Sequence, residues 1–290
     1  MKTKNIIRFD WAIKRLLRNK ADYKVLEGFL TELLKEDIEI EDILESENNQ
    51  ISNDDKFNRV DILVKNSKGE YVIIEIQNQK EYDYFHRMLY GTSKVISEYL
   101  NLGQPYKDVK KVYSINIVYF DLGQGDDYVY HGKTEFHGIH QFDKLTLSPK
   151  QKEILNGKDF PYQLFPEYYV IKVNQFDDVA KNTLDQWIYY FKNDDIQEEF
   201  TAKGIGEARE LWRVDKLSPI EKKNYEKHME NLSYRASIEW TMKVDAEDKI
   251  RADERKLERI ETAKKMKAKG MDITVISEIT ELTKDEINRL

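Results

Sequence analysis

The amino-acid sequence predicts an α/β protein, in which a central sheet of mixed strand direction is flanked by helices and followed by a helical C-terminal extension. Two short apolar runs with strand alternation flank a turn within residues 58–77. A third apolar run, residues 112–120, follows a segment with helical periodicity at residues 82–101. After residue 218 the pattern is helical throughout.

Residues 22–36 predict an amphipathic helix, whose buried stripe comprises Val25, Leu26, Phe29, Leu30, Leu33 and Leu34. Residues 40–47 predict a weak strand ahead of the two apolar runs. The helix at residues 82–101 is expected to stop before Gly103 and Pro105. A strand near residues 168–173 and a helix at residues 184–191 complete the predicted core.

The two apolar runs predict a β-hairpin. They are separated by Ser67, Lys68 and Gly69, and a three-residue loop that ends in a left-handed glycine is a common hairpin connection. Such a loop pairs residue 66 with residue 70, and therefore Asp61 with Glu75. Asp61 then shares one face of the sheet with Leu63, and Glu75 shares it with Ile73 and Gln77.

Two acids at opposed positions on neighbouring strands have Cβ atoms roughly 5 Å apart, so they repel unless a cation lies between them. A divalent metal ion would meet that need. The alternative is a hairpin whose acids simply face water. Against it, the face of Asp61 and Glu75 also carries apolar residues, and the run around Glu75 is typical of a strand covered on both faces.

Composition limits the classes of protein that remain. The chain of 290 residues has no cysteine, which excludes disulfides, thiolate metal sites and a cysteine nucleophile. No apolar run approaches the roughly 20 residues that span a bilayer, and no signal-peptide pattern follows the basic N-terminus. We therefore expect a soluble, cytoplasmic protein without membrane contact. The net charge of −7 argues against a generic nucleic-acid binder but leaves a nuclease open.

The motifs around the hairpin resemble a known family. Residues 59–63 read Arg-Val-Asp-Ile-Leu, Glu75 and Gln77 form an acid-x-Gln pair, and the next predicted helix carries Arg87 followed by Tyr90. In this combination the chain resembles the PD-(D/E)XK nuclease superfamily, and within it the transposase-like, recombination-promoting nuclease family. The likeness runs through most of the chain, and further similar segments are residues 29–34, 184–191 and 279–287.

The resemblance implies a restriction-endonuclease-like core that hydrolyses DNA with Mg²⁺ or Mn²⁺. Metal ions can activate the water and neutralise the phosphate in phosphodiester hydrolysis. Mg²⁺ prefers oxygen ligands and keeps several waters. Asp61 and Glu75 are the predicted catalytic metal ligands, with the carbonyl of Ile76 as a candidate third ligand.

Gln77 occupies the position of the superfamily's usual lysine and is the third predicted catalytic residue. Glutamine is usual in this family, so it does not by itself imply inactivity, but its amide carries no charge. The compensating cation is therefore unassigned, with Lys56, Lys80 and Arg87 as candidates. Tyr90, one turn from Arg87, is a further accessory candidate. Glu27, on the first helix, is an outer acid or part of a solvated helix face.

Three histidines, His131, His137 and His140, follow within a polar segment, but no acid pattern accompanies them, so ordinary surface histidines are expected. The mixed charges of residues 233–269 predict a long exposed helix. Gly270 is its expected C-cap, and Thr283 with Glu286 predicts a capping box for the last helix. We favour a packing or self-association module here over a helix-turn-helix that reads DNA, because the final helix is short and acidic.

The predicted organisation is a nuclease-like core at residues 1–195, a helical region packed on it at 196–232, and the charged helix with a short helical module at 233–290. The predicted function is a metal-dependent DNA endonuclease, transposase-like and linked to recombination. The main alternative is a catalytically weak or inactive protein of the same fold that binds DNA or a protein partner. A third is an interaction module with merely solvated acids.

Overall fold

The computed structural model describes residues 6–16, 23–46, 61–100, 104–155 and 157–290. The chain divides into two compact units, Met1–Ser218 and Pro219–Leu290. The helices of the first unit are α1 (Phe9–Leu16), α2 (Tyr23–Leu34), α3 (Tyr84–Glu98), α4 (Pro149–Ile154), α5 (Thr183–Asn193) and α6 (Ile205–Leu211). The strands are β1 (Ile40–Ser46), β2 (Ile62–Asn66), β3 (Tyr71–Gln77), β4 (Val112–Val118), β5 (Val129–Gly132) and β6 (Glu167–Lys172).

The strands of the described residues form one sheet in the order β1-β2-β3-β4-β6-β5. Strands β3, β4 and β6 run parallel, whereas β1, β2 and β5 each pair antiparallel with their neighbour. The mixed sheet with helices on its faces is the predicted α/β architecture. Because β3, β4 and β6 are parallel, their carboxyl ends meet at one edge of the sheet, where ligands of α/β proteins usually bind.

The hairpin has the predicted register. Ile62 pairs with Ile74 and Leu63 with Ile73, and the N–H of Asn66 donates to the carbonyl of Glu70 at 3.0 Å. Gly69 has φ +76°, the left-handed conformation that the turn requires. The turn therefore fixes which residues of β2 and β3 face each other.

Helix α3 covers the sheet face that carries Leu63 and Ile73. Its Val95 packs against these residues together with Tyr71 and Val112. At its other end, α3 buries Tyr84 and Met88 in a second cluster, completed by Val118, Phe120, Leu122 and Val170. Helix α3 therefore covers much of this face of the sheet, and it begins beside the carboxyl edge.

An aromatic cluster joins the remaining core helices. The ring of Phe29 on α2 lies 5.8 Å from Trp187 and 5.1 Å from Phe191, both on α5. Helix α2 also approaches the turn before α6 so closely that a Cβ atom at Gly28 would lie 2.2 Å from the carbonyl oxygen of Lys203. Only glycine fits at position 28.

The first unit closes end to end. The N–H of Ile7 donates to the carbonyl of Trp212 at 2.8 Å, and Ile6 forms an antiparallel bridge with Arg213. Ile7 and Trp212 are fully buried. The beginning and the end of this unit therefore belong to the same core.

The second unit consists of α7 (Pro219–Ala268), α8 (Ile273–Thr280) and α9 (Lys284–Arg289). The end of α7 packs on the two short helices through Ala263, Ile276, Leu282 and Ile287. Gly270 has φ +75°, and Thr283 and Glu286 form the predicted capping box. The long helix begins earlier than expected, at Pro219 instead of residue 233.

The predicted elements lie within a few residues of the observed ones. The exceptions are α1, α4 and β5, to whose residues the sequence analysis assigned no helix or strand. The division into residues 1–195, 196–232 and 233–290 stays a prediction.

Candidate active site

Asp61 directly precedes β2, and its carboxylate is held by the neighbouring strand. The backbone N–H of Ile76 donates to Oδ2 of Asp61 at 2.6 Å. Continuing the pairing of Ile62 with Ile74 by one residue brings Asp61 opposite Glu75. The two acids therefore lie at opposed positions, as the hairpin register predicted, with Cβ atoms roughly 5 Å apart by the geometry of such pairs.

Glu75, on β3, is held by the next helix. Nη2 of Arg87 lies 3.3 Å from Oε2 of Glu75, while its Nη1 lies 3.1 Å from Oε1 of Glu81. Partial burial disfavours the charged guanidinium, but Glu75 and Glu81 outweigh it and raise the pKa of Arg87 above its usual value. Arg87 is therefore a permanent cation that links the strand end to the turn before α3.

Gln77 lies two residues after Glu75 and so on the same face of β3. Its side-chain amide donates to Oε1 of Glu81. Glu81 thus binds both Gln77 and Arg87, which places a third carboxylate beside the pair that the sequence indicated. Sequence reasoning missed Glu81, although its position four residues after Gln77, in the turn that leads into α3, was a usable signal.

Buried polar side chains of β4 lie beside Glu75. Asn116 pairs with Glu75 in the parallel register and is fully buried. The hydroxyl of Tyr84 donates to Oδ1 of Asn116 at 3.2 Å. Burial, followed by the charge of Glu75, raises the pKa of Tyr84 far above its usual value, so this hydroxyl keeps its proton. The side-chain amide of Asn116 in turn donates to the hydroxyl of Ser114 at 3.0 Å.

Not every predicted residue joins this group. Oε1 of Glu27 accepts a hydrogen bond from the N–H of Ile40 at 2.8 Å, and Ile40 pairs with Asn66 at the turn end of the hairpin. Glu27 therefore supports the start of β1, about five strand residues, or roughly 17 Å, from the level of Asp61.

The remaining candidates for a cation or an aromatic contact lie around the start of α3. The ammonium of Lys80 lies 4.8 Å from the ring centroid of Tyr82, in the turn between β3 and α3. Tyr90 is exposed on α3, one turn after Arg87. Lys56 lies outside the described residues. Of the three candidate cations, Arg87 contacts a predicted metal ligand.

The histidines do not gather around a metal site. His131 contacts Glu167 at 2.7 Å, and His137 contacts Glu135 at 3.2 Å. Across the described ranges, no group of three or more histidine and acidic side chains is arranged to hold a metal ion.

The acid pair nevertheless fits a hard divalent cation. The donor atoms at the strand ends are all oxygens, from the carboxylates of Asp61 and Glu75 and the carbonyl of Ile76, and Mg²⁺ completes such a partial set with waters. Asp61 is already oriented by the N–H of Ile76. Glu75 is paired with Arg87, which also contacts the carboxylate of Glu81. If Glu75 rotates to bind a metal cation, Glu81 would still neutralise the guanidinium.

A mixed six-stranded sheet with opposed acids at the ends of two neighbouring strands is the arrangement of a nuclease-type α/β fold. Residues 7–247 match the family described as PD-(D/E)XK nuclease family transposase, and the chain belongs to this family. The predicted resemblance is thereby confirmed. Neither a curated protein nor a solved structure matches the chain. No helix of the described residues is long and apolar enough to cross a membrane.

Proposed function

We propose that this chain is a divalent-metal-dependent DNA endonuclease that hydrolyses phosphodiester bonds and acts in transposase-like recombination. The observation that carries the proposal is the hydrogen bond from the N–H of Ile76 to Asp61, which fixes one acid opposite the other at the carboxyl edge of the sheet. Membership of a nuclease and transposase family supports DNA as the substrate.

In this proposal Asp61, Glu75 and the carbonyl of Ile76 hold Mg²⁺ or Mn²⁺. When bound, such an ion neutralises the phosphate and lowers the pKa of a water to make it a nucleophile. Gln77 orients the attacking water through its amide, because it lies on the same face as Glu75. Arg87 positions Glu75 and supplies the fixed positive charge that Gln77 lacks.

The test is nicking of supercoiled plasmid by the purified full chain with Mg²⁺ or Mn²⁺ and with a chelator. We expect nicking that needs the metal and that disappears in Asp61→Ala. The matched control is Asp195→Asn, which neutralises an exposed acid after α5 and should leave the rate unchanged. Nicking by Asp61→Ala at the wild-type rate would assign the reaction to another site.

A second candidate is a protein of the same fold that binds DNA or a protein without cutting. The uncharged Gln77 in the lysine position and the engagement of Glu75 by Arg87 favour it. The same experiment separates the two functions, because a binding protein would shift the plasmid in a gel without nicking it at any metal concentration.

The long helix α7 is the proposed site of self-association. Along its length it exposes Tyr234, Trp240, Met242, Ile250 and Leu257. Light scattering of the full chain tests this: we expect an oligomer that Trp240→Glu converts to a monomer. A wild-type monomer at all concentrations would exclude the assembly.

A further inference from the structure

An apolar groove lies on the same sheet face as the acid pair, on the other flank of α3. It has a volume of about 390 Å³, within the range of small-molecule sites. Its walls include Phe85, Met88, Leu89, Tyr130, Tyr168 and Val170. Phe85 and Leu89 are more than half exposed. Three aromatic rings therefore border a groove that opens to solvent.

The strand register fixes where this groove lies relative to the acid pair. Glu75 pairs with Asn116, Asn116 with Val170, and Val170 with Tyr130, so the four residues form one row across β3, β4, β6 and β5. Neighbouring strands are about 4.8 Å apart, which places Val170 on the order of 10 Å from Glu75. A ligand in the groove would lie near a phosphate bound at the proposed metal site of Glu75, without overlapping that phosphate.

A buried lysine ammonium lies next to one wall of the groove. Lys172 lies two residues after Val170, on the same face of β6, and is 1% exposed. Within the part of the chain that the structure describes, its ammonium has no hydrogen-bond partner. The contact that it makes is with the ring of Tyr130, whose centroid lies 5.7 Å from Nζ. Tyr130 is also a wall of the groove.

An ammonium buried without an anion is unfavourable, and a single cation–π contact offsets only part of that free energy. An anion that reaches Nζ in a functional complex would supply the missing partner. Nζ lies beside Tyr130, and the strand register places Lys172 in the row of Gln77 and Val118, two strands from Gln77. Lys172 is therefore placed to meet a phosphate that flanks the one attacked.

We propose that the groove binds an unpaired nucleotide of the substrate strand next to the cut. The base stacks on the rings of Phe85, Tyr130 and Tyr168, and its phosphate pairs with Lys172 after a shift of Tyr130. A groove of aromatic rings beside a buried cation favours a ligand that combines an aromatic ring with an anionic group. The inference rests on the proposed nuclease function.

The test uses full-length Asp61→Asn protein, which we expect to bind without cutting, and a short single-stranded DNA that carries 2-aminopurine. We expect fluorescence quenching on binding, because the base stacks. Leu89→Glu adds a negative charge at the exposed wall of the groove and should weaken binding roughly tenfold. Ser93→Glu is the matched control, with the same charge one turn further along the exposed face of α3.

A second variant tests the contribution of the buried ammonium of Lys172 to binding. Lys172→Met should also weaken binding roughly tenfold and reduce the slope of log K against log salt by about 0.7, the loss of one phosphate contact on a single strand. The same variant should unfold at a higher temperature, because an unpaired buried charge is removed. Lys150→Met, which removes an exposed lysine of α4, is the control and should change neither property.

The two proposals fail in different ways. Unchanged oligonucleotide binding by Leu89→Glu and Lys172→Met, with nicking by the wild type intact, would overturn the nucleotide site alone. Absence of both nicking and binding would overturn the nuclease proposal and this site together. Binding of dAMP as tight as that of the strand would assign the groove to a free nucleotide and overturn the substrate-strand assignment.

Discussion

The N–H of Ile76 donates a hydrogen bond of 2.6 Å to the carboxylate of Asp61. Ile76 is the residue after Glu75, so the strand that carries one acid also orients the other. The backbone of the hairpin therefore sets the position of the Asp61 carboxylate relative to the strand that carries Glu75. This is the kind of rigid support that a metal site needs.

Replacement of Asp61 separates its charge from its role as a hydrogen-bond acceptor. Asp61→Asn should fold normally and unfold at no lower temperature than the wild type, because its amide oxygen still accepts from Ile76 and a like charge is removed. Asp61→Ala leaves that N–H without its acceptor and should lower the free energy of unfolding by roughly 1 kcal/mol. Both variants should lose nicking; thermal unfolding by circular dichroism and the plasmid assay measure the two effects. Nicking by Asp61→Asn would contradict the assignment.

Arg87→Lys tests the fixed fork of the guanidinium. Arginine reaches Glu75 and Glu81 with two different nitrogens, whereas lysine offers a single ammonium. The side chain of Arg87 is 44% exposed, so stability should change by less than about 1 kcal/mol. The nicking rate should fall roughly tenfold or more. Lys94→Ala removes a surface ion pair of the same helix and should nick normally; equal rates for Arg87→Lys and the wild type would leave Arg87 a role in the fold alone.

Substitutions of Gln77 test whether its uncharged amide positions the attacking water. Gln77→Ala removes the amide next to Glu75 and should lower the nicking rate by on the order of 10²-fold, as loss of a positioned group does. Gln77→Lys should be tolerated, because Glu81 can pair with the ammonium. Single-turnover rates at saturating metal provide the measurement. A Gln77→Ala protein as fast as the wild type would remove Gln77 from the mechanism.

The ionisation of Glu167 should affect how the stability of the protein changes at acidic pH. Its burial opposes ionisation, but the hydrogen bonds and charges of Lys111, at 2.5 Å, and His131, at 2.7 Å, outweigh burial and hold the pKa of Glu167 below its usual 4.5. A carboxyl with a lowered folded pKa stabilises the protein above its unfolded pKa, and this contribution is lost as pH falls through the folded pKa.

The unfolding temperature of the wild type should therefore fall more steeply below about pH 4.5 than that of Glu167→Gln. Melting curves from about pH 7 to about pH 3 measure the difference. Glu153→Gln, at an exposed acid of α4, is the control and should follow the wild type. Parallel curves for Glu167→Gln and the wild type would show that this carboxylate is not responsible.

Local rules explain what the sequence predicted well. Gly69 sets the hairpin turn, and strand alternation then determines that Asp61 and Glu75 face each other. Arg87 lies in the first turn of α3, the helix that follows β3, where it contacts Glu75. Each of these inferences uses residues close together in the chain.

The features that the sequence analysis missed depend on contacts that strand alternation and helical periodicity do not describe. Glu81 becomes part of the site only because the chain reverses between β3 and α3 and returns it to Gln77. The strand β5 has four residues and pairs with β6, which lies far along the chain. Lys172 looks like an ordinary lysine at the end of a strand until the fold buries it under Tyr130.

The bond between Ile7 and Trp212 has a consequence for synthesis of the protein. A chain emerging from the ribosome cannot complete its first unit before Trp212 has left the exit tunnel, because that residue forms a hydrogen bond with the beginning of the chain. The hairpin with both acids is made long before. A nascent or prematurely terminated chain therefore carries Asp61 and Glu75 without its finished core.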